Sequence, residues 1–176
     1  MVKFGSVKGY FFLDAWVLAN IIQLGTTDFC RRFLNKDNDP CGRMYDQMTQ
    51  AARSVTANIA EGVSRHQTSA ETEMKLCDVA RASASELAGD YFFLLMNSHE
   101  HIWKKSENAH MFISGVKLDR PSYSDDWQSE AAEHILRQKE KFARAIDHAS
   151  LGVAGNTLLI LCNREIRLIE KLMLSL

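Results

Sequence analysis

The chain contains only two prolines in 176 residues, Pro40 and Pro121. Proline removes a backbone donor and clashes with the preceding turn, so it ends or kinks a helix. Long uninterrupted helices are therefore possible before, between and after these positions. No stretch sustains the alternation of apolar and polar residues that is typical of a strand. These features predict an all-α fold, and the length fits a single domain spanning residues 1–176.

Four segments carry apolar residues at the three- and four-residue steps of an amphipathic helix. We expect core helices at about residues 12–34, 43–61, 68–96 and 156–173. Helices of this length, joined by loops, favour an antiparallel up-down four-helix bundle. A long loop and an extra helical segment are inserted before the last helix, at about residues 97–150.

Turn and capping residues mark the ends of these predicted helices. Residues 35–42 are rich in turn formers and predict the first loop. Gly62 is expected to cap the second helix, because glycine adopts the left-handed conformation at low cost. Thr68 and Glu71 have the spacing of a capping box at the start of the third helix. Two glycines within residues 151–155 predict a break before the last helix.

The inserted segment has the weakest pattern. Residues 96–123 show no sustained period, and we expect a long loop with one short element. Loops of this length are uncommon in compact domains and are often functional. Ser122 and Asp125 repeat the capping-box spacing and predict the start of a further helical pattern that runs to Ile146.

Charge and composition narrow the classes of function. The formal net charge is -1, so no global basic field attracts nucleic acid or anionic lipid. Hydrophobic residues make up 46% of the chain, which allows a substantial core. No apolar run of about 18 residues occurs, so we expect no membrane partner. No secretory signal is visible, so we expect a cytoplasmic protein.

The four cysteines are Cys30, Cys41, Cys77 and Cys162, without a C-x-x-C pair. Cys77 and Cys162 lie within apolar helical patterns, so we expect reduced core residues rather than metal ligands. Cys30 and Cys41 flank the first loop, and an approach between them is left open.

No catalytic motif is recognisable. The chain has no phosphate-binding glycine loop and no nucleophile elbow, so we expect neither an enzyme nor a cofactor. A di-iron bundle needs two Glu-x-x-His motifs, and only Glu107 and His110 match one. His99, His101 and His110 leave open a weaker alternative, a metal or small-molecule site in the inserted segment.

The second predicted helix carries a polar stripe made of Gln50, Arg53, Asn58 and Glu61. Arg53 is able to bind a phosphate, with Gln50 and Asn58 contacting neighbouring groups. The alternative is structural, because half-buried polar residues in bundles often fix helix register and partner choice. We favour the structural interpretation.

Basic residues cluster at the predicted helix ends. The first helix ends with Arg31, Arg32 and Lys36, the second begins at Arg43, and Arg65 follows its end. Cations near helix C-termini are favoured by the helix dipole alone. Repeated around an oligomer, however, the same residues would form an extended nucleic-acid-binding surface.

Three groups of residues together carry a family resemblance. They are residues 46–62, residues 79–91 and residues 154–159. The chain resembles the four-helix bundle proteins related to the 23S rRNA-intervening-sequence proteins, and residues 154–159 resemble the suffix segment of one branch. The similarity covers about residues 9–95 and the last helix.

The resemblance implies a bacterial four-helix bundle that assembles into a ring, typically a pentamer. A related branch, the accessory variability determinant proteins of diversity-generating retroelements, associates with a reverse transcriptase and nucleic acid through a basic surface. The net charge of -1 and the segment at residues 97–150 depart from that pattern.

These observations support two main hypotheses. The first is a non-enzymatic, homo-oligomeric helical bundle that acts as an interaction or assembly module through the exposed sides of the second and third helices. The second is an accessory protein that binds RNA or DNA, partnered with a reverse transcriptase as the resemblance implies. The sequence does not identify a protein partner other than the chain itself.

Overall fold

The computed structural model describes residues 9–65 and 69–176. Within these ranges the fold is helical, with seven α-helices, one short 3-10 turn at Gly9–Phe12 and no strand. The helices are α1 Asp14–Phe33, α2 Arg43–Ser64, α3 Ala70–Asn97, α4 Asn108–Gly115, α5 Trp127–Glu140, α6 Ala143–Ile146 and α7 Leu151–Met173. The prediction of an all-α chain is confirmed across the described residues.

Four long helices build the core. α1 packs against α2 and α7, and α3 packs against the same two helices. Their inward faces carry the largest fully buried side chains, among them Phe29, Met48, Tyr91 and Leu158. The Tyr91 hydroxyl donates to Thr26 Oγ1 at 2.8 Å, so the polar end of this buried ring is satisfied.

The segment between α3 and α7 packs on the outside of this core. α4 and α6 contact α7, whereas α5 contacts α1. α4 is the one short helix within residues 96–123, where the sequence predicted a long loop with a short element. The predicted pattern that ends at Ile146 is split into two helices, α5 and α6. The main contacts of α2 and α3 are with other core helices and, for α2, with the 3-10 turn.

Side chains of α1 and α7 hold the inserted segment by its main chain. The Arg32 guanidinium donates to two main-chain oxygens, that of Ile146 at 2.6 Å and that of His148 at 2.9 Å. The Asn156 side chain accepts from the Trp103 amide at 2.9 Å and donates to the His101 oxygen at 2.9 Å. Asn156 is almost fully buried, so these bonds replace hydration that the amide has lost.

The last helix begins earlier than predicted. α7 starts at Leu151, so the predicted break at residues 151–155 and the predicted start at residue 156 are wrong. Ser150 caps the helix, because its side chain accepts from the Val153 amide at 3.4 Å. The Ser150 cap therefore sets the start of α7, where the two glycines had suggested a break.

Gly152 and Gly155, near the start of α7, both lie where another part of the chain comes close. A Cβ added at Gly155 would lie 3.1 Å from Leu95 Cδ2 and 3.7 Å from Phe29 Cε2. A Cβ at Gly152 would overlap the Glu100 carboxylate. These glycines therefore permit close packing inside a helix and do not interrupt it.

The end of α2 also differs from the prediction. Gly62 is not a cap, because the helix continues to Ser64. A Cβ at Gly62 would lie 3.3 Å from Leu76 Cβ and 3.3 Å from the Glu73 oxygen. The absence of a side chain at Gly62 lets α2 and α3 approach at this point.

α3 begins with a serine cap. The Ser69 side chain accepts from the Thr72 amide at 3.2 Å. Thr68, the predicted cap residue, lies outside the described residues. Its predicted partner Glu71 instead pairs with Lys75, with 2.6 Å between Oε1 and Nζ, as expected for residues four apart on an exposed face.

The start of α5 corrects another predicted capping box. The helix begins at Trp127, within the predicted pattern, but Ser122 and Asp125 form no capping box at its start. Glu130 reaches back to Ser124, accepting from both its amide and its hydroxyl. These hydrogen bonds lower the pKa of Glu130, since they stabilise its charged form.

All four cysteines are free thiols. Cys30, Cys77 and Cys162 are buried, whereas Cys41 is exposed. Cys30 Sγ lies 3.9 Å from Met48 Sδ, so it belongs to the core and is not bonded to Cys41. Burial raises the pKa of Cys30 to about 12 and that of Cys77 to about 11, which keeps both protonated.

Candidate interaction surfaces

The members of the polar stripe predicted on α2 differ in their surroundings. Asn58 donates to the Ser54 carbonyl oxygen at 2.8 Å and to Ser54 Oγ at 3.0 Å. Ser54 Oγ lies 2.9 Å from Ser83 Oγ of α3, which is almost fully buried. The amide of Asn58 is therefore used in the packing of α2 against α3, in agreement with the structural interpretation.

The other members of the stripe are exposed. Gln50 borders a groove between α2 and α3. Glu61 pairs with Arg65, with 2.8 Å between Oε1 and Nη2, and this surface pair contributes less than about 1 kcal/mol. Arg53 is exposed and forms no ion pair within the described part of the chain.

The basic residues at the helix ends divide into two groups. Arg32 is used internally, because it pairs with Asp28 at 2.8 Å in addition to its bonds to the main chain after α6 begins. Arg31, Lys36 and Arg43 are exposed and form no ion pair with a described residue. These three cations lie at the α1–α2 end of the molecule and remain available to a ligand.

The histidines of the inserted segment are not brought together as a set of metal ligands in the described residues. His101 Nε2 lies 2.8 Å from Glu107 Oε1, and the Lys104 amide donates to the same oxygen at 2.8 Å. These hydrogen bonds lower the pKa of Glu107. No three His, Cys, Asp or Glu side chains in the described ranges are placed to hold a metal ion, and this includes His99 and His110.

An apolar stripe lies on the outward side of α3. Its six exposed members share one side of the helix by their spacing. We call them the α3 stripe: Val79, Ala82, Gly89, Phe92, Phe93 and Met96. The four large side chains are between 46% and 54% exposed. A Cβ at Gly89 would meet nothing within 4 Å, so the backbone there is open to a neighbouring molecule.

The sequence predicted an assembly surface on the exposed sides of the second and third helices, but this apolar stripe on α3 was not identified. The available signal was local, because residues 91–96 are all apolar. A core-facing helix needs an apolar stripe over only part of its circumference. Six consecutive apolar residues therefore cover the outward face as well as the inward one.

A second exposed apolar surface lies on the inserted segment. Met111 and Phe112 of α4 are 50% and 65% exposed. Phe112 borders two shallow grooves, and both grooves reach Arg144 and Ala145 of α6. We call these four residues the α4–α6 surface. This surface was not predicted, because α4 is too short to show a helical period in the sequence.

α7 also carries a carboxyl group inside the core. Glu165 is 0% exposed, and neither of its oxygens has a hydrogen-bond partner among the described residues. Burial raises the pKa of Glu165 well above its usual range, while the neighbouring Arg164 lowers it. Burial therefore favours the neutral form of this carboxyl, which has no contact with solvent, so it acts on stability rather than on a ligand.

Comparison with known proteins gives no match to a family model, a curated protein or a solved structure. The resemblance to the intervening-sequence proteins therefore stays a prediction. In the described ranges, none of the helices combines the length and apolar character that crossing a bilayer requires.

Proposed function

We propose that the chain is a non-enzymatic helical bundle that self-associates and acts as an interaction or assembly module. The observation that carries this proposal is the α3 stripe, an apolar helix face that the inserted segment leaves largely uncovered. Scattered exposed apolar residues are normal, whereas contiguous ones mark interaction sites.

The proposal includes the antiparallel up-down arrangement of the four core helices. For α2 and α3, support comes from the pairing of Ser54 with Ser83 and of Gly62 with Leu76, because the partners run in opposite directions. For α1 and α7, an added Cβ at Gly25 would meet Leu158, and Gly155 lies near Phe29 further along α1. The order of these contacts is again opposite.

The size of the α3 stripe fits a role in association. A phenylalanine side chain offers about 200 Å², so exposed fractions of 48% and 46% leave roughly 190 Å² at Phe92 and Phe93. Burial of that area contributes about 5 kcal/mol before the cost of association. A standard interface covers about 800 Å² per partner, so the two rings would form its centre.

Small residues on the stripe support close helix contact. Ala82 and Gly89 are exposed between the larger members, and they allow a second helix to approach the α3 backbone. Glycine, alanine and large apolar side chains on one face provide both holes and knobs for packing. The proposed oligomer is a ring, in keeping with the pentamer that the family resemblance implies.

The mass of the purified protein in solution tests the proposal. Sedimentation equilibrium at micromolar concentration is expected to give a multiple of the 20.0 kDa chain mass. Phe93→Asp places a charge in the centre of the stripe and should reduce the mass to that of one chain. Leu136→Asp is the matched control, because Leu136 of α5 is also exposed, at 58%.

Helical content measured by circular dichroism must stay unchanged in both variants. A wild-type protein that sediments as a monomer at these concentrations would refute self-association. Equal loss of mass in both variants would refute the assignment to the α3 stripe.

A second candidate function is that of a nucleic-acid-binding accessory protein. It rests on Arg31, Lys36 and Arg43, whose exposed side chains are not engaged in ion pairs with described residues. Binding of labelled RNA and single-stranded DNA should then fall steeply with salt, because phosphate contacts release counterions. Reversal of these three charges should abolish binding, whereas Arg120→Glu serves as a control at an exposed cation outside the predicted patch. Salt-independent or absent binding would remove this candidate.

A further inference from the structure

The α3 stripe and the α4–α6 surface differ in the charge that surrounds them. The α3 stripe lies beside acidic residues, and the α4–α6 surface lies beside basic ones. We propose that the α3 stripe of one copy docks on the α4–α6 surface of the next copy, in a head-to-tail contact. This inference rests on the self-association proposed above and specifies its partner surface.

The acidic character of the α3 stripe comes from its C-terminal half. Glu86 and Asp46 are exposed, and both border the groove between α2 and α3. Glu86 is also close enough to Asp90 to raise the pKa of that carboxyl, after the larger effect of burial. The nearest cation on α3, Arg81, is already paired with Asp78 at 2.8 Å. Lys75, further along, is paired with Glu71 in the same way.

The basic character of the α4–α6 surface comes from three exposed cations. Arg144 reaches both grooves beside Phe112. Lys104 and Lys105 lie four and three residues before α4 and are exposed. None of the three forms an ion pair within the described residues. Two acidic residues lie nearby: Glu140 borders one groove, and Glu107 lies between the lysines and α4, where it is bonded to His101.

Both surfaces have the apolar element that a docking site needs. Phe112 is 65% exposed and stands between two grooves, so it offers roughly 130 Å² of apolar surface. The groove on its α4 side is lined by Ala109, Ile113 and Val153, which leave space for a large side chain. Phe92 and Phe93 are side chains of that kind.

The charges disfavour the alternative in which like surfaces meet. If two α3 stripes paired about a two-fold axis, Glu86 of one copy would approach acidic residues of the other. Like charges brought together at an interface are unfavourable, whereas complementary charges also speed association. A contact between two different surfaces leaves one of each kind free on every pair, so the assembly continues until a ring closes.

Mixing of two variants tests this arrangement directly. Phe112→Asp disables the α4–α6 surface but leaves the α3 stripe intact, and Phe93→Asp does the reverse. Each variant alone is expected to be monomeric. An equimolar mixture should form a complex of two chains and no larger species, because only one intact pair of surfaces remains. Light scattering after gel filtration measures the mass against the 20.0 kDa chain.

A second set of variants tests the role of charge. It also gives a result that does not depend on whether Phe112→Asp folds. Arg144→Glu should weaken association roughly tenfold or more, and Arg144→Lys should retain most of it. The difference should shrink at high salt, because exposed charges are screened. Helical content confirms that each variant is folded.

The outcomes separate this inference from the proposed function. If wild-type protein is oligomeric and Phe93→Asp is monomeric, but Phe112→Asp and Arg144→Glu still form wild-type oligomers, the head-to-tail contact is wrong and self-association stands. If the mixture of variants stays monomeric, the two surfaces do not bind each other. A monomeric wild-type protein overturns both proposals.

Discussion

The buried carboxyl of Glu165 should make the stability of the protein depend on pH in a defined direction. Its pKa is raised in the folded state because burial disfavours the charged form. In the unfolded chain the group ionises near pH 4.3. Between these two pKa values the folded state binds the extra proton, so the free energy of unfolding falls as pH rises.

The structure sets the size of this effect. Glu165 is 0% exposed and lacks a hydrogen-bond partner among the described residues, so the full proton difference applies. One proton gives a slope of about 1.4 kcal/mol per pH unit. The contribution of Glu165 protonation to the free energy of unfolding is fully present below about pH 4. It is lost as pH rises towards the folded pKa.

Two substitutions separate titration from burial. Glu165→Gln keeps a buried polar group of similar shape but removes the titration, so its stability should not carry this slope. Glu165→Met also removes the polar group and should add about 1–3 kcal/mol to the free energy of unfolding. Urea unfolding, followed by circular dichroism from pH 5 to pH 8, measures each value.

The difference between wild type and Glu165→Gln is the decisive quantity. Other groups with shifted pKa values, such as His134 and Asp90, are present in both proteins and cancel. The difference should change by about 1.4 kcal/mol for each pH unit. Parallel curves over this range would show that Glu165 has a partner or solvent access, and would refute the reasoning.

Three further predictions concern packing and the inserted segment. Gly25→Ala should destabilise the protein by about 1–3 kcal/mol in urea unfolding, because its Cβ would lie 2.9 Å from Leu158 Cδ2 and 3.3 Å from Ile146 Cγ2. Gly89→Ala, tested in the Phe93→Asp background so that association does not intervene, should stabilise by up to about 1 kcal/mol from helix propensity; destabilisation there would contradict the open space at Gly89. Asn156→Ala should remove the acceptor of the Trp103 amide, so hydrogen exchange at that amide should accelerate by about tenfold while amides in the centre of α3 stay protected. Unchanged exchange at Trp103 would mean that Asn156 does not hold the segment.

Much of the fold was accessible from periodicity, and what was missed has a physical cause. The apolar steps along α1, α2 and α3 located their bounds to within three residues. Helix ends were predicted wrongly at two places that contain glycine, at Gly62 and at the start of α7. A glycine that permits close helix packing has the same local sequence signature as one that ends a helix, and only the partner helix distinguishes them.

The candidate surfaces were harder to predict than the core. A single sequence does not show which of the apolar residues 91–96 find partners, because that depends on where the inserted segment packs. Arg32 illustrates the same limit for charge, since its internal partners are more than a hundred residues away in the chain. The polar role of Asn58 was anticipated, because a side chain able to bond within its own helix needs no distant partner.

The attachment of the inserted segment has a consequence for how the sequence of this protein can change. Arg32 and Asn156 form hydrogen bonds with main-chain carbonyl and amide groups, which every amino acid except proline supplies in full. Side chains of the inserted segment can therefore be exchanged without loss of these hydrogen bonds. The arrangement separates the scaffold from the surface it displays, so one bundle can present new chemistry while its core sequence stays fixed.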